Sequence, residues 1–290
     1  MSGTGLLRIG LDVGGTTLKA VRCRGSEISG QTTVPAGGGI SQAELLRRIR
    51  QTVEHLAVGE PIERIGIAIG GTVLADGIMP AEATNLPNLA GLPLTRLFSN
   101  ALGAPCSVIN DAQAAMHGEA WRGTAKSLRH AMLVTFGTGI GAGLLLDGHV
   151  HAGSRGVAGE IGEWKLAADA EGGRYASLEA IASPVRFAHR HGQSLAEMIV
   201  NGDNSQVVDV ALHAIGRSLA AAHLLLDLQA IIIGGGIVAV GEPFRQIVER
   251  TINAHCPPSH RRTVDVLLSS LGPYAGAVGA IAPSAIGTQS

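Results

Sequence analysis

Cysteine, aromatic side chains and long apolar runs are all scarce in this chain of 290 residues. The three cysteines, Cys23, Cys106 and Cys256, show no C-x-x-C spacing, which argues against a disulfide framework and a thiolate zinc site. No apolar stretch reaches the roughly 20 residues that span a bilayer, and residues 1 to 8 lack the apolar segment of a secretory signal. We therefore expect a cytoplasmic protein without structural zinc.

An excess of charge of either sign is also missing. The 22 Lys and Arg against 23 Asp and Glu give a formal net charge of -1. No large positive field is available to hold nucleic acid or an anionic membrane, so neither is expected as a partner. At about 150 residues per domain, the length leaves room for two lobes and a cleft between them.

Glycine, by contrast, is abundant, with 41 residues. It marks the tips of two predicted β-hairpins: residues 6–23 turn at Gly14-Gly15-Thr16-Thr17, and residues 131–147 turn at Gly137–Gly141. Such a recurrence predicts a duplicated domain.

Helical periodicity and apolar strand-length runs follow each hairpin, which predicts α/β lobes with mixed sheets flanked by helices. The capping-box sequence from Ser41 to Glu44 starts the first helix. The other predicted helices cover 111–121, 207–228, 242–255 and about 273–285, and the further strands cover 65–69, 106–109, 230–233 and 264–268. We expect lobes at 1–112 and 113–290, with the last helix packing back on the first lobe.

The first hairpin tip holds the residue types that a nucleotide phosphate with Mg²⁺ requires: a carboxylate, glycines that let backbone N–H groups approach an anion, hydroxyls and a lysine. These are Asp12, Gly14, Gly15, Thr16, Thr17 and Lys19. One Gly-Gly-Thr turn is more often only a hairpin, but Thr138 and Gly139 repeat the arrangement in the second tip. Neither tip is a Walker A sequence or a dinucleotide fingerprint.

Three further features have two interpretations each. Gly234, Gly235 and Gly236 form either a close-approach loop beneath an adenosine or a helix-terminating cluster. Asp111 is either an N-cap or a general base for an alcohol. The carboxylates Glu160, Glu163 and Glu179 are either solvated or polyol ligands, in a loop-rich region without obvious salt-bridge partners.

As a set, these motifs resemble the ROK family of sugar kinases, within the superfamily of actin-like ATPases, hexokinases and Hsp70 chaperones. The resemblance runs from residue 8 to about 282, through the segments 12–19, 67–71, 110–119, 137–141, 153–162 and 234–236. It implies a two-lobed actin-like ATPase (ribonuclease H-like) fold with a central cleft. It also implies ATP and Mg²⁺ as cofactors, a sugar or sugar-like substrate and a homodimer.

The resemblance also assigns roles to individual residues. Asp111 would be the catalytic base, and Asp12 would hold Mg²⁺ through water. The substrate would be bound by Gly71, Asn85, Asn110, Asp111, Glu160, Glu163 and Glu179. The phosphates would be held by Thr16, Thr17, Thr138 and Gly139, and the adenosine by Gly234, Gly235 and Gly236.

This sequence departs from the family pattern in two places. Glu163 stands where family members that phosphorylate glucose or mannose usually have a His, and residues 171–178 lack the cysteines of the family's zinc cluster. We therefore expect the sugar loop to be fixed by packing and hydrogen bonds, and Glu163 to set which substrate is accepted.

The expected function is ATP-dependent phosphorylation of a hydroxyl, of the primary 6-OH type, on a hexose, amino sugar or cyclitol. A polyphosphate-dependent glucokinase and a catalytically silent sugar-binding regulator on the same fold stay open as alternatives. Repressors of this family carry a winged helix before the first hairpin. Here that hairpin starts by residue 8, so we do not expect a repressor.

Overall fold

The computed structural model describes residues 5–36, 39–81, 86–167, 175–258 and 264–286. These residues form two compact units. The first unit contains the described residues up to Arg122, together with Val150–Ala158 and those from Pro273 onward; the second contains those of Gly123–His149 and Gly159–Gly272. The chain first passes between the units after Arg122, later than the boundary near residue 112 that the repeat suggested.

A five-stranded sheet forms the centre of the first unit, with strand order β3-β2-β1-β4-β5. β1 and β2 form the predicted antiparallel hairpin, while β4 and β5 run parallel to β1. The strands are β1 (Leu7–Val13), β2 (Thr17–Arg24), β3 (Glu27–Pro35), β4 (Ile62–Ile69) and β5 (Cys106–Asn110). The helices of this unit are α1 (Gln42–Ala57), α2 (Leu94–Leu102), α3 (Asp111–Arg122), α9 (Ala275–Ala280) and α10 (Pro283–Ile286).

The second unit is built on a sheet of order β12-β11-β6-β7-β8, with a separate two-stranded sheet of β9 and β10. The strands are β6 (Ala131–Phe136), β7 (Ile140–Leu146), β8 (His149–His151), β9 (Lys165–Ala167), β10 (Tyr175–Ser177), β11 (Ala230–Gly235) and β12 (Asp265–Leu268). The helices are α4 (Leu178–Ala182), α5 (Pro184–His191), α6 (Leu195–Val200), α7 (Gln206–Leu226) and α8 (Glu242–His255).

Both five-stranded sheets have the same topology. In each, a hairpin is followed by a third strand beside its second arm, and two later strands add in parallel to its first arm. The two hairpins that the glycine pattern predicted therefore occupy equivalent places, and the predicted mixed sheets flanked by helices are present.

Alternating apolar residues explain why these strands face a core. Ile9, Leu11 and Val13 of β1 are fully buried, and Leu45 and Ile49 of α1 belong to the same cluster. The Ser41 side chain accepts from the Glu44 N–H, which starts α1 at the predicted cap. The apolar residues that recur every second position in β1 and those that recur at helical intervals in α1 thus pack together on one face of the first sheet.

Helix α9, made only of Ala, Gly and Val, covers part of the first sheet at very short range. A Cβ at Gly10 of β1 would overlap the carbonyl oxygen of Ala277, and one at Gly66 of β4 would overlap that of Ala280. Only glycine permits this backbone-to-backbone approach.

By length and mean hydropathy, α7 would qualify as a membrane span, which the sequence had not indicated. Its Ala211, Ile215 and Leu219 side chains are buried in the core of the second unit. This burial is the pattern of a core helix.

Candidate active site

The carboxyl ends of three parallel strands meet at one edge of the first sheet. The Gly70 N–H, just after β4, donates to the Val13 carbonyl at 3.0 Å. A Cβ at Gly70 would lie 3.8 Å from the Gly14 Cα and 3.7 Å from Asp111 Oδ2. The structure therefore brings Gly14, Gly70 and the Asp111 carboxylate together, as expected for an edge where parallel strands end.

Asn110, the last residue of β5, caps helix α3. Its Oδ1 accepts from the backbone N–H groups of Ala112 at 2.9 Å and Gln113 at 3.0 Å, and its Nδ2 donates to the Gly71 carbonyl at 3.1 Å. Asp111 is the first helical residue, and its Oδ1 accepts from Ala112 N–H at 2.8 Å. The N-cap function that the sequence left open for Asp111 is thus filled by Asn110.

Gly71 lies in the left-handed region, with φ of +116°. A side chain there would be strained whatever the space around it, so glycine holds the turn to which Asn110 binds.

Asp12 and Lys19 face each other across the first hairpin. Their register in the β1–β2 ladder is direct, and Lys19 Nζ lies 3.1 Å from Asp12 Oδ2. Burial raises the pKa of the Asp12 carboxyl, and the nearby Lys19 ammonium opposes that rise. Gly276 of α9 contributes to the burial, since a Cβ there would lie 3.0 Å from Asp12 Cγ.

The backbone of the first turn, Gly14–Thr16, is closed by a hydrogen bond from Gly14 N–H to the Thr17 carbonyl at 3.0 Å. Thr16 is exposed, while Gly15 and Thr17 are half-buried. These residues and Lys19 therefore lie on one hairpin, as the motif predicted.

Gln113 is a contact residue that sequence reasoning missed. Its Nε2 donates to the Gly156 carbonyl at 2.9 Å, and Gly156 itself has φ of +84°. Ala75 N–H donates to the Arg155 carbonyl at 3.0 Å and fixes the same loop. The sequence signal that could have identified Gln113 is a single amide side chain within an alanine-rich, buried helix. The first part of the Gly153–Gly162 motif is thus anchored within the first unit.

In the second unit, two glycine segments share one sheet edge. β11 runs parallel to β6, with Gly234 opposite Thr135 and Gly235 opposite Phe136. Gly235 has φ of +82°, and a Cβ there would overlap the Phe136 carbonyl oxygen. Gly234 and Gly235 end β11 and Gly236 opens the 3₁₀ helix Gly236–Val240, so the interpretation as a helix-terminating cluster is wrong. It lies beside the second turn, Gly137–Gly139.

The Glu179 carboxylate sits on this second turn. Its Oε2 accepts from the Ile140 N–H at 3.1 Å, and its Oε1 lies 2.8 Å from Arg186 Nη2. A Cβ at Gly139 would overlap Oε2. Glu179 therefore has a salt-bridge partner that was not obvious from the sequence. The ion pair of Glu179 and Arg186 could not be predicted from the sequence, because the two residues lie on different short helices, α4 and α5.

Glu160 precedes the 3₁₀ helix Ile161–Glu163, Glu163 is its last residue, and both are exposed. This helix packs on β7 and α4. At its centre, a Cβ on Gly162 would overlap the Ile140 carbonyl oxygen and lie 3.4 Å from Glu179 Cβ. The structure thus carries all three carboxylates on elements around the second turn.

Two expectations fall partly outside the described residues: Asn85, and positions 171–174 of the segment compared with the zinc cluster. In the described part of the chain, no three His, Cys, Asp or Glu side chains converge as a metal site. Burial raises the pKa of all three thiols, that of Cys106 to about 11. The absence of zinc stays a prediction.

Known proteins resemble the chain along most of its length. A glucokinase of Thermotoga maritima is 27% identical, covering 94% of this chain and 95% of its own. An N-acetylmannosamine kinase of Yersinia pestis is 30% identical, covering 80% of this chain and 84% of its own. Among solved structures, a ROK family glucokinase from Streptomyces griseus, in complex with glucose and AMPPNP, is 25% identical with a TM-score of 0.81. It covers 94% of this chain and 97% of its own.

The likeness to that structure confirms the fold class expected from the sequence, the α/β fold of the actin-like ATPases. The model of the ROK family matches residues 8–284 of this chain. Given this match and the motifs on both hairpins, the chain belongs to the ROK family.

Proposed function

We propose that this protein is an ATP-dependent sugar kinase, which transfers a phosphoryl group to a hydroxyl of a hexose, amino sugar or cyclitol. Relatives named as glucokinases and N-acetylmannosamine kinases, and a neighbour bound to glucose and AMPPNP, support the sugar and the nucleotide. The observation that supports a catalytic role for Asp111 is that two neighbouring residues at the end of β5 have different roles. Asn110 caps the helix, and Asp111 presents its carboxylate at the meeting point of three strands.

Asp111 acts as the general base in this proposal. A sugar hydroxyl bound at the edge formed by Gly14, Gly70 and Asp111 gives its proton to the carboxylate as its oxygen attacks the γ-phosphorus. The bond between that phosphorus and the β,γ-bridging oxygen breaks, and ADP leaves. Phosphoryl transfer is catalysed mainly by positioning and charge stabilisation, so one carboxylate beside the attacking hydroxyl is sufficient. The primary, 6-OH type of hydroxyl is the proposed acceptor.

Each of the two turns is proposed, by itself, to bind oxygens of the nucleotide. Gly14, Gly15, Thr16 and Thr17 offer backbone N–H groups and hydroxyls in the first unit, and Thr138 and Gly139 do so in the second. Gly234–Gly236 flank the second turn and would face the adenosine. Backbone N–H groups at such turns suit anionic oxygens.

Mg²⁺ fits the residues near Asp12. This carboxylate is already paired with Lys19 through Oδ2, which suits contact with a hydrated ion better than a dedicated protein cage. When bound, the ion would neutralise charge on the phosphate oxygens. The Lys19 ammonium favours the ionised form of Asp12 and so opposes the rise in pKa that burial causes.

Substrate recognition is assigned to the residues that the family resemblance names. Gly71, Asn85 and Asn110 belong to the chain of the first unit, and Glu160, Glu163 and Glu179 to that of the second. Glu163 is exposed and replaces the family's His, so we propose that it selects a substrate with an amine or an altered hydroxyl set. A coupled ADP-release screen over hexoses, amino sugars and cyclitols tests this proposal. Polyphosphate in place of ATP tests the alternative donor.

Asp111→Asn is the decisive variant. It conserves size and removes basicity, so kcat should fall by roughly 10²-fold or more while substrate binding is largely kept. Steady-state kinetics with the best substrate of the screen measures the loss. Asp265→Asn, an exposed carboxylate at the start of β12, is the matched control and should behave as the wild type. Near-normal turnover in Asp111→Asn would show that Asp111 has only a structural role.

Two expectations remain proposals: the homodimer that the family resemblance implies, and the cytoplasmic location expected from the apolar pattern of the sequence. Sedimentation analysis of the purified full chain would decide the first.

A further inference from the structure

We propose that Arg186 neutralises the Glu179 carboxylate on the second turn, so that this turn can accept the phosphates of the nucleotide. Arg186 is a positioning residue here, because it acts through Glu179 and the local charge. The inference rests on the proposed function and adds a residue that the family motifs do not contain.

Both carboxylate oxygens of Glu179 are engaged by groups of the second unit. Oε2 accepts from Ile140 N–H at 3.1 Å, and Oε1 lies 2.8 Å from Arg186 Nη2. The Glu179 side chain is only 18% exposed, whereas that of Arg186 is 54% exposed. A mostly buried carboxylate is therefore held between a backbone donor and a guanidinium that still reaches solvent.

The place of this carboxylate creates an electrostatic problem. It lies against Gly139 and Ile140, in the turn proposed to bind phosphates. The carboxylate there already accepts from a backbone N–H, which is then not free for a phosphate. Its negative charge would also repel the triphosphate of the nucleotide, since like charges a few ångströms apart interact strongly near a partly desolvated surface. The Arg186 guanidinium supplies the opposite charge at the same point.

Local structure fixes Arg186 in this position. Ser183 ends α4 and caps α5, with its Oγ accepting from the Arg186 N–H at 3.3 Å. Pro184 follows as the first helical residue, which suits its missing N–H. The chain therefore turns sharply between Glu179 and Arg186, and the two side chains meet although they lie on separate helices.

The experiment measures nucleotide affinity without catalysis. Titration calorimetry with AMPPNP and Mg²⁺, in the absence of sugar, compares the wild type with Arg186→Ala, Arg186→Lys, Glu179→Gln and the double variant Arg186→Ala/Glu179→Gln. We expect Arg186→Ala to weaken affinity about tenfold, as one uncompensated charge near the phosphates would. Arg186→Lys should recover most of the loss. In a Glu179→Gln background the effect of Arg186→Ala should shrink to less than about twofold.

Arg129→Ala is the matched control, because Arg129 pairs with Asp147 at the opposite end of the β6–β7 hairpin. It removes the same charge from the second unit and should leave nucleotide affinity unchanged. Thermal unfolding of each variant checks that the fold is intact.

The outcomes separate the two proposals. A wild type that bound no nucleotide would overturn the proposed function and this inference with it. A wild type that binds AMPPNP, with Arg186→Ala binding equally well, would overturn the inference alone. An equal loss in Arg186→Ala with and without the Glu179 charge would also overturn it, because the arginine would then act independently of Glu179.

Discussion

The two hairpin turns share a topology but obtain their charged groups differently. In the first unit, Asp12 and Lys19 come from the hairpin itself and pair across adjacent strands. In the second, Glu179 and Arg186 come from α4 and α5 and reach the turn from outside the sheet. A carboxylate–cation pair thus accompanies each turn, built locally in one and by tertiary packing in the other.

The faces behind the turns differ as well. Gly10 and Leu133 each lie four residues before the first glycine of their turn. Gly10 pairs with Gly66 in the first sheet, and Leu133 pairs with Ile232 in the second. The glycine pair lets the backbone of α9 approach the first sheet, whereas large aliphatic side chains occupy the equivalent register of the second. The two sheets therefore share a topology but differ in the residues that pack at the same register.

The largest predicted effect on stability comes from Gly66→Ala. Its Cβ would overlap the backbone carbonyl of Ala280, and a helix backbone cannot move aside as a side-chain end can. We expect the free energy of unfolding to fall by about 3 kcal/mol or more, at the upper end of overpacking costs. Urea unfolding followed by circular dichroism measures it. Gly236→Ala, which meets nothing within 4 Å, is the control. Equal stability of the two variants would refute the close packing of α9.

Acid should weaken the first unit through His117 in α3. This side chain is buried, its Nδ1 lies 2.8 Å from Ser284 Oγ, and burial lowers its pKa from 6.5 to about 4. The unfolded chain binds a proton near pH 6.5 and the folded chain only near pH 4, so stability is lost as pH falls through this window and the loss is complete below it. The His117 contribution is about 3 kcal/mol.

His117→Gln keeps a polar contact for Ser284 and removes the titration. Urea unfolding at pH 7 and pH 4 should show a smaller acid-induced loss in the variant than in the wild type. Identical pH dependence in the two proteins would contradict the assigned burial of His117.

The smallest effect on stability is expected for Gly139→Ala, which compares the turns directly. Its Cβ would overlap the end of the Glu179 side chain, which must move and release the Ile140 N–H. We expect a stability loss of about 1 kcal/mol, that of one lost hydrogen bond, and faster hydrogen exchange at the Ile140 amide, because its acceptor is displaced. Gly14→Ala, whose Cβ would meet only the Thr17 carbonyl at 3.3 Å, should leave that amide unchanged. Unaltered exchange at Ile140 in Gly139→Ala would contradict the placement of Glu179.

Strongly periodic segments were predicted well from sequence. The predicted ranges 131–136 and 242–255 coincide with β6 and α8, since apolar spacing alone defines them. The edge strand β3 was missed because its residues are polar or half-exposed and need β2 for pairing. The short helices α4 to α6 were also missed, because none is long enough to show a period.

The sequence by itself determined the two glycine turns, the strands that lead into them and the family to which the chain belongs. These depend on local conformation, on residue types at fixed spacing and on backbone that only glycine permits. Tertiary structure decided which groups share a site. α9, from the far end of the chain, buries Asp12, and a break between two helices brings Arg186 to Glu179. Such contacts join residues that are remote in sequence or lie on separate elements. The spacing of residues along the chain therefore does not predict them.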